Sequence, residues 1–296
     1  MSPAAAPDEP NDLDLDLDLD LDLDFDLRAT RFEIDGHVAT VWLHRPQRHN
    51  AWTGRMHTEY RHVLGVLDAD PEVRVVVVTG TPPAFCVGGD SEALAGHAER
   101  GSYDGGLAAD IARPGYGVRP EWDADFAFQF AMRFPIIAAV NGACAGVGLA
   151  LALFCDLRYG SANARCTTAA PKLGLPAEYG MSWQLPRLIG VTRASDLLLT
   201  GRVFTPAETE PWGMWNGVAA DADQTLQMAL STASVLARDV GPNAVRTTKR
   251  QIHADLLSNH PAGAIDEAQR LLGDAMGTAE YREGIAALRE KRPPAF

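Results

Sequence analysis

Residues 135–154 read Pro135-Ile136-Ile137-Ala138-Ala139-Val140-Asn141-Gly142-Ala143-Cys144-Ala145-Gly146-Val147-Gly148-Leu149-Ala150-Leu151-Ala152-Leu153-Phe154. The apolar run up to Val140 has the length of a buried strand, and Asn141-Gly142 punctuates it. Residues from Gly146 to Phe154 predict a helix opened by a glycine-rich turn. The same order occurs upstream. Arg74–Thr79 is a continuous, largely β-branched run ended by Gly80, as expected of a strand covered on both faces. Phe85-Cys86-Val87-Gly88-Gly89-Asp90 then leads into a helical Ser91–Ala98. Strand, turn and helix alternating in this way predict βαβ units and an α/β fold.

Towards the N-terminus, Thr30–Ile34 and His37–Leu43 predict two strands joined at the turn signal Asp35-Gly36. After the polar loop Pro46–Asn50, apolar residues at Met56, Tyr60, Val63, Leu64 and Leu67 give Thr53–Asp68 helical spacing, with Thr53 as N-cap. From Thr205 onward only helical patterns are found: Ala222–Arg238, Asn243–Ser258, Pro261–Met276 and Glu280–Lys291. The expected organisation is an acidic tail over 1–28, an α/β core over 29–204 and a helical region over 205–296. The Gly- and Pro-rich Arg100–Pro120 reads as a long functional or disordered loop.

Charge is unevenly spread. Ten of the acids fall in residues 1–26, which hold no base; the whole chain carries −13, so the remainder carries −3. A nearly balanced body without a basic stripe argues against nucleic acid as a partner. Leu13–Leu27 alternates Leu and Asp, with Phe25 the one interruption. That period of two would suit a strand, but an Asp at every second position repels a like neighbour, so a disordered low-complexity tail is expected. Calcium sites need turn-forming glycines, and the tail has none, so no metal role is expected of it. No apolar run approaches the roughly 20 residues that span a bilayer. Met1–Pro10 has no basic start or apolar stretch of a secretory signal. Cys86, Cys144, Cys155 and Cys166 show neither Cys-x-x-Cys nor zinc spacing, and buried thiols in a cytoplasmic protein are expected.

Two turns can carry chemistry: Cys86-Val87-Gly88-Gly89-Asp90 and Asn141–Gly148. Glycine lets main-chain N–H groups point inward and a ligand approach the backbone closely. If both turns face one cleft, two amides can bind one oxygen that turns negative, aided by the start of the following helix. The alternative is a pair of tight strand-to-helix connections. Neither turn matches a Walker loop or a dinucleotide fingerprint.

Several further pieces stand in register. They are Arg45-Pro46-Gln47-Arg48-His49-Asn50-Ala51, Val75–Gly80, Phe85–Asp90, Ala138–Gly142, Phe154-Cys155-Asp156-Leu157-Arg158, Lys172-Leu173-Gly174-Leu175, Leu185–Gly190 and Glu290–Pro294. In order and spacing, from about Thr40 to the C-terminus, they resemble the crotonase (enoyl-CoA hydratase/isomerase) superfamily. The resemblance implies an α/β, crotonase-like spiral of ββα units followed by a helical C-terminal portion. It also implies an acyl-CoA thioester as substrate, no separate cofactor, and a homotrimer or homohexamer. It assigns the two oxyanion-hole amides to Gly89 and Val147, with Gly88 and Gly146 beside them against substrate. It assigns main-chain contacts with coenzyme A to the stretch around Arg48, Asn50 and Ala51, and makes Lys291 and Arg292 candidates for its adenine or phosphates.

The departures bear on mechanism. The two glutamates that hold and activate water in well-studied hydratases correspond to Ala150 and Ala170, and a methyl group cannot exchange protons. Glu178, in Ala177-Glu178-Tyr179-Gly180-Met181-Ser182-Trp183, resembles the place where dienoyl-CoA isomerases and aromatic dehalogenases carry a catalytic aspartate. The same segment resembles a subgroup of actinobacterial hydratase-like proteins. Glu178 reads either as a single acid/base with a pKa raised by an apolar pocket or as an acid that only favours a helix start. Asp90 and Asp156 read as structural acceptors, Asp123 and Asp125 as caps for Phe126–Arg133. The tryptophans, Trp52 and Trp183 among them, read as core or pocket wall. The expected activity is hydration or double-bond isomerisation of an unsaturated acyl-CoA. The alternatives are a crotonase-type hydrolase or decarboxylase and an inactive acyl-CoA-binding paralogue.

Overall fold

The computed structural model describes residues 26–100, 118–258 and 260–296. The tail through residue 25 and residues 101–117 of the long loop lie outside the described residues. The order of elements is β1 (Thr30–Asp35), β2 (Val38–Leu43), α1 (Gly54–Ala69), β3 (Val75–Gly80), β4 (Ala84–Cys86) and α2 (Ser91–Arg100). There follow β5 (Ile136–Val140), β6 (Ala143–Ala145), α3 (Val147–Leu153), β7 (Leu157–Ser161), β8 (Cys166–Thr167), α4 (Met181–Ile189) and α5 (Val191–Thr200). The chain ends with α6 (Pro206–Thr209), β9 (Gly217–Ala219), α7 (Ala222–Arg238), α8 (Pro242–Asp255), α9 (Pro261–Met276) and α10 (Ala279–Glu290).

A six-stranded sheet runs β1-β2-β3-β5-β7-β9, and a smaller one runs β4-β6-β8. Only β1 and β2 are antiparallel; the other pairs are parallel. Parallel pairing explains the unbroken valine run, because a parallel sheet is covered on both faces. Every residue of β3 is buried. Val76 and Val78 face the main core with Met56, Tyr60 and Leu64 of α1. Val75 and Val77 face the opposite side with Ala229, Ala233 and Ala237 of α7. Alanines four residues apart give α7 a flat stripe that rests directly on the sheet.

Thr53 caps α1 as expected, its Oγ1 accepting from Met56 N at 3.2 Å. Two expectations need correction. The region after Thr205 is not purely helical: β9 extends the sheet through β7, and three residues are too few to show a periodicity. Phe126–Arg133 forms only a 3₁₀ turn, Ala127–Phe130, with no side-chain cap. Asp125 instead stands 3.5 Å from His57 Nε2. Buried Glu59 of α1 accepts from the N–H groups of Arg28, Ala29 and Thr30 and so holds the segment ahead of β1 against that helix.

The helical region is tied to the sheet by a buried charge cluster. Asp156 meets Lys249 Nζ and His253 Nε2, each at 2.8 Å, and accepts from Ile136 N at 2.7 Å. Lys249 also donates to the carbonyls of Gln129 and Phe134, and His253 stacks on Phe130 at 3.7 Å. Burial pushes the Asp156 carboxyl up, but Lys249 and His253 outweigh it and hold it below the ordinary range. Asp156→Asn therefore leaves Lys249 buried without its counter-charge. Denaturant unfolding of that variant is expected to show a loss of about 3–5 kcal/mol. Because the folded carboxyl is the stronger acid, its contribution is present above the unfolded pKa of about 3.9. It is lost as pH falls from there through the folded value.

Candidate active site

The geometry starts with the small sheet. β4 and β6 are parallel neighbours, with Ala84 opposite Ala143 and Cys86 opposite Cys144. Their following turns thus leave from the same end, where α/β folds place their ligands. The turns touch. A Cβ added at Gly88 would lie 3.4 Å from the Ala145 carbonyl oxygen, and one added at Gly146 would lie 4.0 Å from Gly88 Cα. Gly88 has φ +100° and Gly146 φ +48°, conformations in which a side chain is strained. The first turn of α3 is pressed onto β4, since a Cβ at Gly148 would fall 2.6 Å from Cys86 Cβ.

Each turn leaves an amide without an acceptor among the described residues. Trp52 N donates to Gly88 O at 2.8 Å and Asp90 N donates to Trp52 O at 2.9 Å. This parallel bridge uses the groups on either side of Gly89 and turns the N–H of Gly89 away from Trp52. Burial pushes the Cys86 thiol up to about 12, against a small opposing pull from the neighbouring Gly88 backbone. In the second turn Val147 is the first residue of α3, and Ala150 N, bonding Gly146 O, makes the first helical hydrogen bond. The N–H of Val147 is one of the donors that every helix start leaves unpaired. Neither the Gly89 nor the Val147 amide donates to another described residue.

Ala150 and Ala170 are buried, 0% and 1% exposed, so no carboxylate enters from either position. Glu178 is half-buried, and burial raises its pKa above the usual carboxylate value. It does not cap α4: the N-cap is Gly180, with no side-chain cap bond. Its carboxylate forms no ion pair or hydrogen bond with another described residue, and burial is the cause of its shift. Tyr179 (φ +49°) and Gly180 (φ +71°) turn the chain sharply after it. Tyr179 meets Phe126 edge-to-face at 5.5 Å, and Phe126 meets Trp52 likewise at 5.5 Å. A Cβ at Gly180 would stand 3.0 Å from the Phe154 ring at the end of α3. One aromatic wall thus runs from the residue beside Glu178 to the residue bridged to Gly89. Sequence reasoning had Trp52 as core or pocket wall but missed the partnership of Phe126 and Tyr179, which no spacing announces.

The stretch 45–51 has its own internal bonding. Asn50 is fully buried; its Oδ1 accepts from Arg45 N at 2.8 Å, and its Nδ2 donates to Thr81 O and Ala84 O. The Ala51 carbonyl accepts from Arg45 Nη1 at 2.5 Å. Arg48 pairs with Asp90 at 3.0 Å and keeps a partly exposed side chain. These side-chain and carbonyl groups are therefore engaged within the protein. Lys291 and Arg292 lie at the end of α10, where Arg292 is taken by Glu283 and Glu290. No hydrogen bond or ion pair among the described residues brings them to the glycine turns. A cavity of about 660 Å³ between α8, α9 and α10, lined by Ala244, Leu271, Leu272, Tyr281, Ile285 and Phe296, contains none of the turn residues. The four cysteines are free and buried. No group of three metal-ligating side chains occurs, and no helix is long and apolar enough to cross a membrane, among the described residues.

A mixed spiral with two glycine turns at the ends of neighbouring parallel strands is the architecture of a crotonase-type acyl-CoA enzyme. A crystal structure of a probable enoyl-CoA hydratase/isomerase from Mycobacterium abscessus superposes with a TM-score of 0.78 at 32% identity, covering 90% of this chain and 98% of that one. The model of the enoyl-CoA hydratase/isomerase family matches residues 33–296, and the chain belongs to that family. A probable enoyl-CoA hydratase of Mycobacterium leprae is 32% identical over 269 residues, 89% of this chain and 96% of that protein. The 1,2-epoxyphenylacetyl-CoA isomerase of Escherichia coli K12 is 31% identical over 271 residues, again 89% and 96%.

Proposed function

We propose that the protein hydrates, or shifts the double bond of, an unsaturated acyl-CoA, with Gly89 and Val147 as oxyanion donors and Glu178 as the single acid/base. The reading is carried by Glu178: a half-buried carboxyl with raised pKa on a chain whose two usual glutamate positions are methyl groups. Two amides on the thioester oxygen stabilise the enolate that either reaction passes through, each by roughly 2.7–4 kcal/mol in comparable sites.

In hydration, the Glu178 carboxylate takes a proton from water as its oxygen adds to the β-carbon, and electrons move onto the thioester oxygen. The enolate then takes that proton back from Glu178 at the α-carbon. In isomerisation, Glu178 removes a proton at one carbon and returns it at another. Coenzyme A is part of the substrate, and no separate cofactor enters either sequence. A homotrimer or homohexamer in the cytoplasm fits the resemblance.

Mass-spectrometric product analysis against enoyl-, dienoyl- and 3-oxoacyl-CoA esters tests this reading. Gain of one water, or a change of absorbance without change of mass, is the expected result. Release of free coenzyme A or carbon dioxide would point to hydrolysis or decarboxylation instead. Binding without turnover of any ester would favour the inactive paralogue that Ala150 and Ala170 suggest.

A further inference from the structure

Gly89 has no side chain, so the direction of its N–H is set by its neighbours. Trp52 holds both flanking residues through the bridge to Gly88 O and Asp90 N. The side chain of Asp90, 3% exposed, returns to the same segment. Its Oδ2 accepts from Arg45 Nη1 at 3.0 Å and its Oδ1 from Arg48 Nη2 at 3.0 Å. Oδ1 also accepts from Glu92 N at 3.0 Å. Arg45 Nη1 donates in addition to Ala51 O, one residue before Trp52. Asn50 pins the segment to Thr81 and to Ala84, the first residue of β4. A closed circuit results: Asp90 to Arg45, Arg45 to Ala51, Ala51 along the chain to Trp52, and Trp52 back to Asp90 across Gly89.

A buried carboxylate gripped by two guanidinium groups resists rotation of the adjoining peptide. Charge-assisted bonds are shorter and stronger than neutral ones. A misplacement of about 1 Å at a reacting centre can cost roughly 100-fold in rate. We propose that Asp90 is a positioning residue, which through Arg45 and Arg48 locks residues 45–52 and so aims the Gly89 N–H at the substrate oxygen. This inference rests on the reading of Gly89 as an oxyanion donor.

The test combines kinetics with vibrational spectroscopy of a bound, unreactive saturated acyl-CoA. An oxyanion donor polarises the thioester carbonyl and lowers its stretching frequency. Asp90→Asn keeps one acceptor oxygen and loses the charge. It is expected to lower kcat by roughly 10- to 100-fold, with a much smaller change in KM, and to lose most of the frequency shift at saturating ligand. Arg48→Gln removes one grip from a partly exposed side chain and should move both readouts the same way, less far, with the protein folded. A merely structural role would lower the melting temperature without moving the carbonyl frequency of ligand bound to folded protein. Full retention of frequency shift and kcat in Arg48→Gln and in any folded Asp90→Asn would overturn the inference. Absence of any frequency shift in the wild type would instead overturn the oxyanion assignment of Gly89 itself, and this inference with it.

Discussion

Glu178→Gln is expected to lower kcat by roughly 10²- to 10⁴-fold, the usual contribution of a positioned acid/base, with KM changed only a few-fold. Glutamine keeps the shape and the capacity to accept a hydrogen bond but cannot exchange a proton. The fold should not suffer. Burial raises the Glu178 pKa, so the folded state binds its proton more tightly than the unfolded one. That contribution is present below the unfolded pKa and is lost as pH rises through the folded value, leaving the ionised carboxylate a burden at neutral pH. A neutral glutamine removes the burden, so the melting temperature should hold or rise while turnover collapses. In the wild type, the acid limb of kcat/KM should lie above the ordinary carboxylate range, since a protonated Glu178 cannot act as base. The variant should lose that limb.

The second large effect is expected at Val147. A main-chain N–H cannot be removed by an ordinary substitution, but Val147 is the first residue of α3, with Gly146 as its N-cap. This is the helix position that proline tolerates, because its missing N–H has no helical partner there. Val147→Pro should leave the helical content measured by circular dichroism close to wild type and lower kcat by roughly 10²- to 10³-fold, the cost of one oxyanion donor. Val147→Ala, which keeps the N–H, separates that loss from the effect of a smaller side chain. Equal losses in the two variants would show that packing, and not the amide, is responsible.

Much of the fold was legible because its signals are repetitive. The β3 run is unbroken because both faces of the strand are buried, and α7 is bounded as its pattern predicts. β9 was not legible, because a three-residue edge strand is defined by its partner β7. Asp125 resembled a cap by its position before Phe126–Arg133, but His57 comes from a distant helix, and that contact carries no local signature. The glycine turns were visible as glycine clusters; their mutual contact depends on the parallel pairing of β4 with β6. The resemblance places Asn50 in a stretch that contacts ligand through its backbone; that its side chain donates to the carbonyls of Thr81 and Ala84 depends on long-range pairing that the motif does not show. The resemblance offers Lys291 and Arg292 as adenine or phosphate contacts; the pairing of Arg292 with Glu283 and Glu290 of α10 has no signal in that motif.

The central claim is that two amides and one carboxylate form and quench an enolate. Proton exchange reads that step without requiring the physiological substrate. A saturated acyl-CoA incubated in deuterium oxide with wild-type protein, and followed by proton NMR, should lose its signal at the α-carbon only. Glu178→Gln should slow that exchange by at least about 100-fold. Exchange that proceeds equally fast in Glu178→Gln, or a wild type that leaves the α-hydrogens untouched, would contradict the account.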